Sequence, residues 1–235
     1  MEFPKDIKEA IKSLMSGGFT LVHDEKDRED EVDFIMAAQH VKPLHIRTMR
    51  KDGGGLICVT MHPMHWKKFG MRRLVDLFAD VCERDRLIAS LLPQNLPYDT
   101  KSSFSITINH RGTYTGITDR DRALTISQVA EVAKKAESMR QEDAILLFAE
   151  NFRSPGHVPL LLADEGLLGT RRGHTEYATV LLKWANLTPC AAICEMMGDD
   201  GNALSVEDAI RYARRNGVPY IEGTQILEVW EKWSE

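Results

Sequence analysis

Apolar and polar positions recur along this chain at two periods, and the switches between them mark most of its elements. Ile7, Ile11, Leu14 and Met15 follow helical spacing and Gly17-Gly18 offers a left-handed stop, which predicts a first helix. Phe19 to His23 predicts a strand, and Val32 to Ala38 a second. Pro43 opens a helix through Met49, with Arg47, Arg50 and Lys51 suited to the negative end of its dipole. Gly53-Gly54-Gly55 breaks it ahead of a strand at Leu56 to Thr60. Residues 79–101, mixed in charge with Pro93 and Pro97, predict a helix and an extended excursion. Ser103 to Asn109 alternates at period two and predicts a strand that turns at His110-Arg111-Gly112.

A helix capped by Thr118 or Thr125 runs through Val129 and Val132 into a polar stretch near 138–143 that the pattern leaves undefined. Val158 to Ala163 reads as a buried strand, and an amphipathic helix headed by Thr170 to Glu176 ends near Leu187. Cys190 to Met197 is strand-like, and Gly198 to Asn202 reads as a tight turn, because its glycine and acids do not match a calcium loop. Ser205 caps a helix to Asn216-Gly217, Val218 to Ile221 forms a last strand, and Thr224 starts a terminal helix.

With 235 residues, 43% of them hydrophobic, the chain buries roughly 70 to 75% of its unfolded surface, and a single domain over 1–235 is expected. Of its 35 acids and 30 bases, seven acids and two bases lie between Asp24 and Asp33, which leaves 28 of each elsewhere. That balance gives no footprint for nucleic acid, and the apolar runs are too short to span a bilayer. Lys5, Lys8 and Glu9 interrupt any apolar leader, so the cytoplasm is the default compartment. Cys58, Cys82, Cys190 and Cys194 lack the density of a disulfide framework, sit mostly in apolar surroundings and read as reduced core thiols.

Charge becomes chemistry in the stretch Asp24 to Asp33, where crowded carboxylates repel and call for compensation by Lys26 and Arg28, by shared protons, or by a divalent ion. A second charged centre runs from Phe152 to His157, and a third, Thr170 to Glu176, sits at a helix start whose free N–H groups and dipole favour an anion such as phosphate. The plainer reading of the third is a capping threonine after a solvated arginine turn. Glu195 lies in apolar company, where desolvation raises a carboxyl unless it meets a cation. His62 and His65 have a metal-compatible spacing but read as part of a short surface helix. Oxygen ligands with one imidazole suit Mg or Mn better than structural Zn, so composition and spacing reach as far as a metal-assisted enzyme on a small phosphorylated substrate.

Six segments then carry a resemblance: Asp27-Arg28-Glu29-x-Glu31-x-Asp33, Gly54 to Cys58, Ser102 to Thr107, Arg153 to Val158, Arg171-x-Gly173-His174-Thr175-Glu176, and Cys194-Glu195-x-x-x-Asp199-Asp200-Gly201. In this order, over nearly the whole chain, they resemble 3,4-dihydroxy-2-butanone 4-phosphate synthase, in its archaeal form without a fused cyclohydrolase. The resemblance implies an α+β fold with a mixed sheet core, a homodimer with shared active sites, and conversion of D-ribulose 5-phosphate to the four-carbon ketone phosphate and formate. It implies Mg or Mn held by Glu29 and His174. It implies substrate contacts from Arg28, Glu29, Asp33, Glu195 and the run Arg171, Arg172, Gly173, His174, Thr175. His157, Glu195, Glu31 and Asp33 would move protons or support their movement as C3 is deprotonated to an enediol, the C1 hydroxyl leaves, the skeleton rearranges and C4 departs as formate. Asp30, Val32 and Leu162 depart from the pattern, the last standing where relatives carry arginine. Two other readings remain open at this point: another sugar-phosphate enzyme using enediolate chemistry, and a non-catalytic ion- or nucleotide-binding relative.

Overall fold

The computed structural model describes residues 3–92, 99 and 101–232. Its strands are β1 (Thr20–His23), β2 (Val32–Ala37), β3 (Cys58–Met61), β4 (Phe104–His110), β5 (Phe152–Leu162), β6 (Ala191–Glu195) and β7 (Tyr220–Glu222). They form one mixed sheet in the order β4-β5-β3-β6-β2-β1-β7. The helices are α1 (Lys5–Met15), α2 (Pro43–Asp52), α3 (Pro63–Lys68), α4 (Leu74–Ala79), α5 (Arg86–Leu91), α6 (Asp119–Ala136), α7 (Gln141–Asn151), α8 (His174–Trp184), α9 (Val206–Asn216) and α10 (Gly223–Glu231).

The central strands read as unbroken apolar runs because both faces of the sheet are covered. Phe34 and Met36 of β2 pack into one core with Ile46 and Met49 of α2 and Ile126 and Val129 of α6. Ile35 and Ala37 pack into the other with Ile7 and Leu14 of α1, Tyr177 and Leu181 of α8, and Ile226 of α10. Alternate residues of one strand therefore serve opposite cores. Asp33, between Val32 and Phe34, falls on the α8 side.

The expected helices and strands form, with differences that have physical causes. The undefined stretch near 138–143 leads into α7, whose buried residue is Ala144 alone, so no apolar stripe announces it. The strand expected from Val158 begins at Phe152, because Phe152 and Arg153 pair with His110 and Asn109 of β4, while the side chains of Arg153 to Pro155 stay in solvent and leave no apolar run. The short α4, with no buried residue, had no signal at all. Thr118, rather than Thr125, caps α6 by accepting from the Asp121 N–H at 3.1 Å. His65 is buried, not on the surface, and its Nε2 lies 3.2 Å from Glu137. The excursion expected around Pro93 and Pro97 lies outside the described residues. The four cysteines are free, and three of them are buried.

Candidate active site

Three segments meet at one end of the α8 face. Asp24 ends β1 with a buried carboxylate that folds the acidic loop around itself: Oδ2 accepts from the Glu29 N–H at 3.2 Å and Oδ1 from the Glu31 N–H at 3.1 Å, and the Arg28 guanidinium donates to Oδ2 at 2.9 Å. Loop carboxylates that would repel each other are thereby aimed in fixed directions. Antiparallel pairing of β2 with β6 sets Asp33 opposite Glu195. The start of α8 supplies His174 and Thr175, both buried.

His174 is the hinge of the cluster. Its Nε2 lies 3.2 Å from the Val22 carbonyl, which orients the ring, and its Nδ1 lies 3.3 Å from the Glu29 carboxylate and 3.8 Å from Asp33. Burial disfavours the imidazolium, yet the charges of Asp33, Glu29 and Asp24 push its pKa up to about 9. Burial also pushes Glu29 up, but His174 and Arg28, whose guanidinium is 2.7 Å away, outweigh it and hold Glu29 down at about 2. Asp33 has no such rescue. Burial pushes it up to about 8; His174 pulls it back, but Glu195, Glu29 and Glu31 repel a further anion. Glu195 and Glu31 are raised too, in both cases chiefly by burial.

The fit to a divalent ion follows from these donors. Asp24, Glu29 and His174 offer ligand atoms within 4.8 Å of one another, and beside them Asp33 Oδ1 is buried with no hydrogen-bond partner. A set of carboxylate oxygens with one imidazole nitrogen is the chemistry of Mg or Mn. Asp24 is already committed to the loop backbone, which leaves Glu29 and His174 as the open pair. The neighbouring carboxylates that would draw a cation here also favour a proton on the His174 ring.

The cleft beside this cluster has a volume of about 120 Å³ and is lined by Arg28, Glu29, Asp33, Glu195, Arg171, His174 and Thr175, together with Cys58, Asp99, Ser102, Ser103 and Phe104. Arg171 reaches from the loop before α8 to the fully buried Glu176 and to Asp99, each at 2.5 Å. Gly173 leaves room beneath it: a Cβ there would meet the guanidiniums of Arg171 and Arg28, which would have to shift. Two guanidiniums thus lie over the open N-terminus of α8, which has no side-chain cap.

Of the residues expected from sequence, Arg28, Glu29, Asp33, Arg171, His174, Thr175 and Glu195 line this cleft. Arg172 does not; it is half exposed and faces Glu25 and Glu231 at 3.8 and 3.7 Å. Glu31 does not line the cleft but feels the charges of Glu29 and Glu195. His157 is exposed on β5 and held by Asn109, whose side chain accepts from the His157 N–H at 2.8 Å. It lies four residues from the cleft-lining Leu161, about 13 Å along a strand. Leu162 points into the opposite core, so the missing arginine takes no cation from this cleft. The three glycines at 53–55 cradle no anion either, since the Gly54 N–H is spent on the Glu195 carbonyl at 2.7 Å and a Cβ on Gly53 would meet that carbonyl at 2.9 Å. Sequence reasoning missed Asp99, Cys58, Ser102 and Ser103; the last three lie in matched segments and could have been named, while nothing flagged Asp99.

Fold and cleft together are those of an α+β enzyme with a candidate divalent-ion site beside an uncapped helix start. A sequence profile of 3,4-dihydroxy-2-butanone 4-phosphate synthase matches residues 8–229. The synthase of Methanothermobacter thermautotrophicus is 45% identical over 229 residues, 97% of each chain, and that of Archaeoglobus fulgidus 40% identical over 98% of this chain and 96% of its own. A cation-free crystal structure of such a synthase superposes with a TM-score of 0.75 at 25% identity, covering all of both chains. Another, in complex with two magnesium ions, gives 0.74 at 24% identity, with 99% of this chain and 98% of its own covered, a likeness of fold. The chain belongs to the 3,4-dihydroxy-2-butanone 4-phosphate synthase family, lyases of riboflavin biosynthesis that act on D-ribulose 5-phosphate.

Proposed function

We propose that this cleft converts D-ribulose 5-phosphate to L-3,4-dihydroxy-2-butanone 4-phosphate and formate, with Mg or Mn held by Glu29 and His174. The observation that carries this reading is the pairing of Glu29 with His174 at 3.3 Å, beside two raised carboxyls and under two arginines. A divalent ion there would supply Lewis acidity to the substrate's carbonyl and neighbouring hydroxyl.

The chain's own residues divide the remaining work. Arg171, Thr175 and the free N–H groups of α8 take the phosphate, with Gly173 giving them room. Arg28 orients the sugar while fixing Asp24 and Glu29. Asp33 and Glu195 carry protons to and from the carbon skeleton, because burial and mutual repulsion bring such carboxyls toward neutral pH, where a general base or acid is most effective. Glu31 supports them through its charge. His157 fits this scheme as a residue donated to the cleft of a partner subunit, in a cytoplasmic homodimer. Its exposure supports that role, as do Tyr114 and Ile117, 94% and 50% exposed on the turn beside it. That turn is tied to the same stretch, the Arg153 guanidinium donating to the Tyr114 carbonyl at 3.1 Å.

The direct test is formate release from D-ribulose 5-phosphate with Mg, repeated with EDTA. Formate that appears with Mg and stops with the chelator is the expected result. Substrate consumed without formate would replace this reading with an isomerase or aldolase.

A further inference from the structure

Asp99 occupies an unusual place. Its side chain, 8% exposed, puts one carboxylate oxygen 2.5 Å from Arg171 Nε and 3.4 Å from an Arg28 terminal nitrogen. It therefore bridges two guanidiniums that are 71 and 72 residues away in sequence and that converge over the α8 N-terminus. The other carboxylates on these arginines belong to the frame. Asp24 is fastened by the backbone of Glu29 and Glu31, and the buried Glu176 accepts from the Asp164 N–H at 2.9 Å. Asp99 lines the cleft itself.

Among the described residues, the Arg28 and Arg171 guanidiniums meet the carboxylates of Asp24, Glu29, Glu176 and Asp99. A phosphate dianion entering beside the Asp99 carboxylate would meet a like charge a few ångströms away and be repelled by it. One anion has to give way. A carboxylate oxygen shared by two guanidiniums at a helix start is also what a bound phosphate oxygen would be.

We propose that Asp99 is an internal stand-in for the substrate's phosphate, holding Arg28 and Arg171 in their binding positions in the free enzyme and leaving them when the phosphate arrives. The proposal rests on the phosphate reading of the α8 N-terminus. It makes Asp99 an affinity-setting residue: its carboxylate competes with every anion that enters, so weak monoanions are excluded and a dianion on a sugar that also binds elsewhere in the cleft is favoured. A residue that merely braced Arg171 would have the opposite effect, since its loss would loosen the arginine and weaken binding.

The test is calorimetric titration of inorganic phosphate into the Mg-loaded protein and its Asp99→Asn, Asp99→Glu and Thr175→Ala variants, together with KM for D-ribulose 5-phosphate. Asp99→Asn keeps the shape and removes the competing charge. It is expected to tighten phosphate about tenfold and lower KM, while Asp99→Glu, which restores the charge, stays near the parent protein. Phosphate binding that is unchanged or weakened in Asp99→Asn overturns the stand-in role. The phosphate reading fails separately if Thr175→Ala leaves both phosphate binding and KM unchanged, or if the parent and Asp99→Asn proteins alike bind none, and the proposal falls with it.

Discussion

Asp33 on β2 and Glu195 on β6 stand directly opposite each other, two carboxyls on one face of an antiparallel pair, and Asp33 Oδ1 is buried with no hydrogen-bond partner. Cross-strand like charges destabilise a sheet, and a buried unpaired carboxylate does so more. Burial pushes the pKa of both carboxyls up, which favours their protonated forms and brings them nearer the range that proton-transfer chemistry uses.

Asp33 provides the first prediction. With its pKa at about 8, against about 3.9 unfolded, the folded state keeps a proton that the unfolded chain has lost. The stability this gives is full below about pH 4 and is lost as pH rises through about 8. Asp33→Asn should therefore abolish formate production yet raise the Tm of the metal-free protein. The Tm gap should widen from pH 5 to pH 8.5, toward a difference on the order of a few kcal/mol. A gap that does not change with pH would mean that Asp33 is ionised throughout.

Metal affinity should depend on pH with a definite sign. His174 holds its proton up to about pH 9 and must release it before Nδ1 can act as a ligand. Apparent Mn affinity should climb between pH 6.5 and 8.5 by up to about tenfold per unit, the limit for one released proton. Calorimetry in buffers of different ionisation enthalpy reads that proton directly. Glu29→Gln should remove the affinity at every pH, and a flat profile in the parent protein would take His174 out of the ligand set.

The arginines before α8 should separate cleanly. Arg172→Ala is expected to leave KM within about twofold, as for a surface pair worth under about 1 kcal/mol. Thr175→Ala should raise KM more for D-ribulose 5-phosphate than for ribulose. Arg171→Ala combines that effect with an instability of roughly 3 to 5 kcal/mol, because the fully buried Glu176 loses its partner. Arg171→Ala paired with Glu176→Gln should recover Tm without recovering KM. Recovery of both would make Arg171 a structural residue only.

How far the sequence reached depended on how local the signal was. β1, β2, β6 and α8 were legible because burial on both sides leaves continuous apolar runs, and the acidic loop was legible because seven acids in ten residues need a reason. Motif order carried most of the cleft. The Arg172 side chain, expected with its neighbours, turns away from the described cleft toward Glu25 and Glu231, because adjacent residues at a helix start diverge in direction, which spacing alone does not show. His65 was misread because its burial depends on Glu137, 72 residues away. Asp99 left no local trace, since its meaning comes only from two arginines that the fold brings to it.

The last prediction concerns His157, which the resemblance places in the chemistry and the fold places on an exposed stretch of β5. If His157 serves the cleft of a partner, a chain lacking it keeps an intact Glu29 and His174 but starves the neighbouring site. A chain with Glu29→Gln loses its own site yet still donates a good His157. Each variant alone should be inactive. Mixed after gentle unfolding and refolding, half of randomly paired dimers join one chain of each kind, and each such dimer has one complete site. Formate production should return to about a quarter of the parent level. Activity that does not return although the mixed dimers form would mean that His157 acts within its own chain, and β5 would have to move for it to reach the cleft.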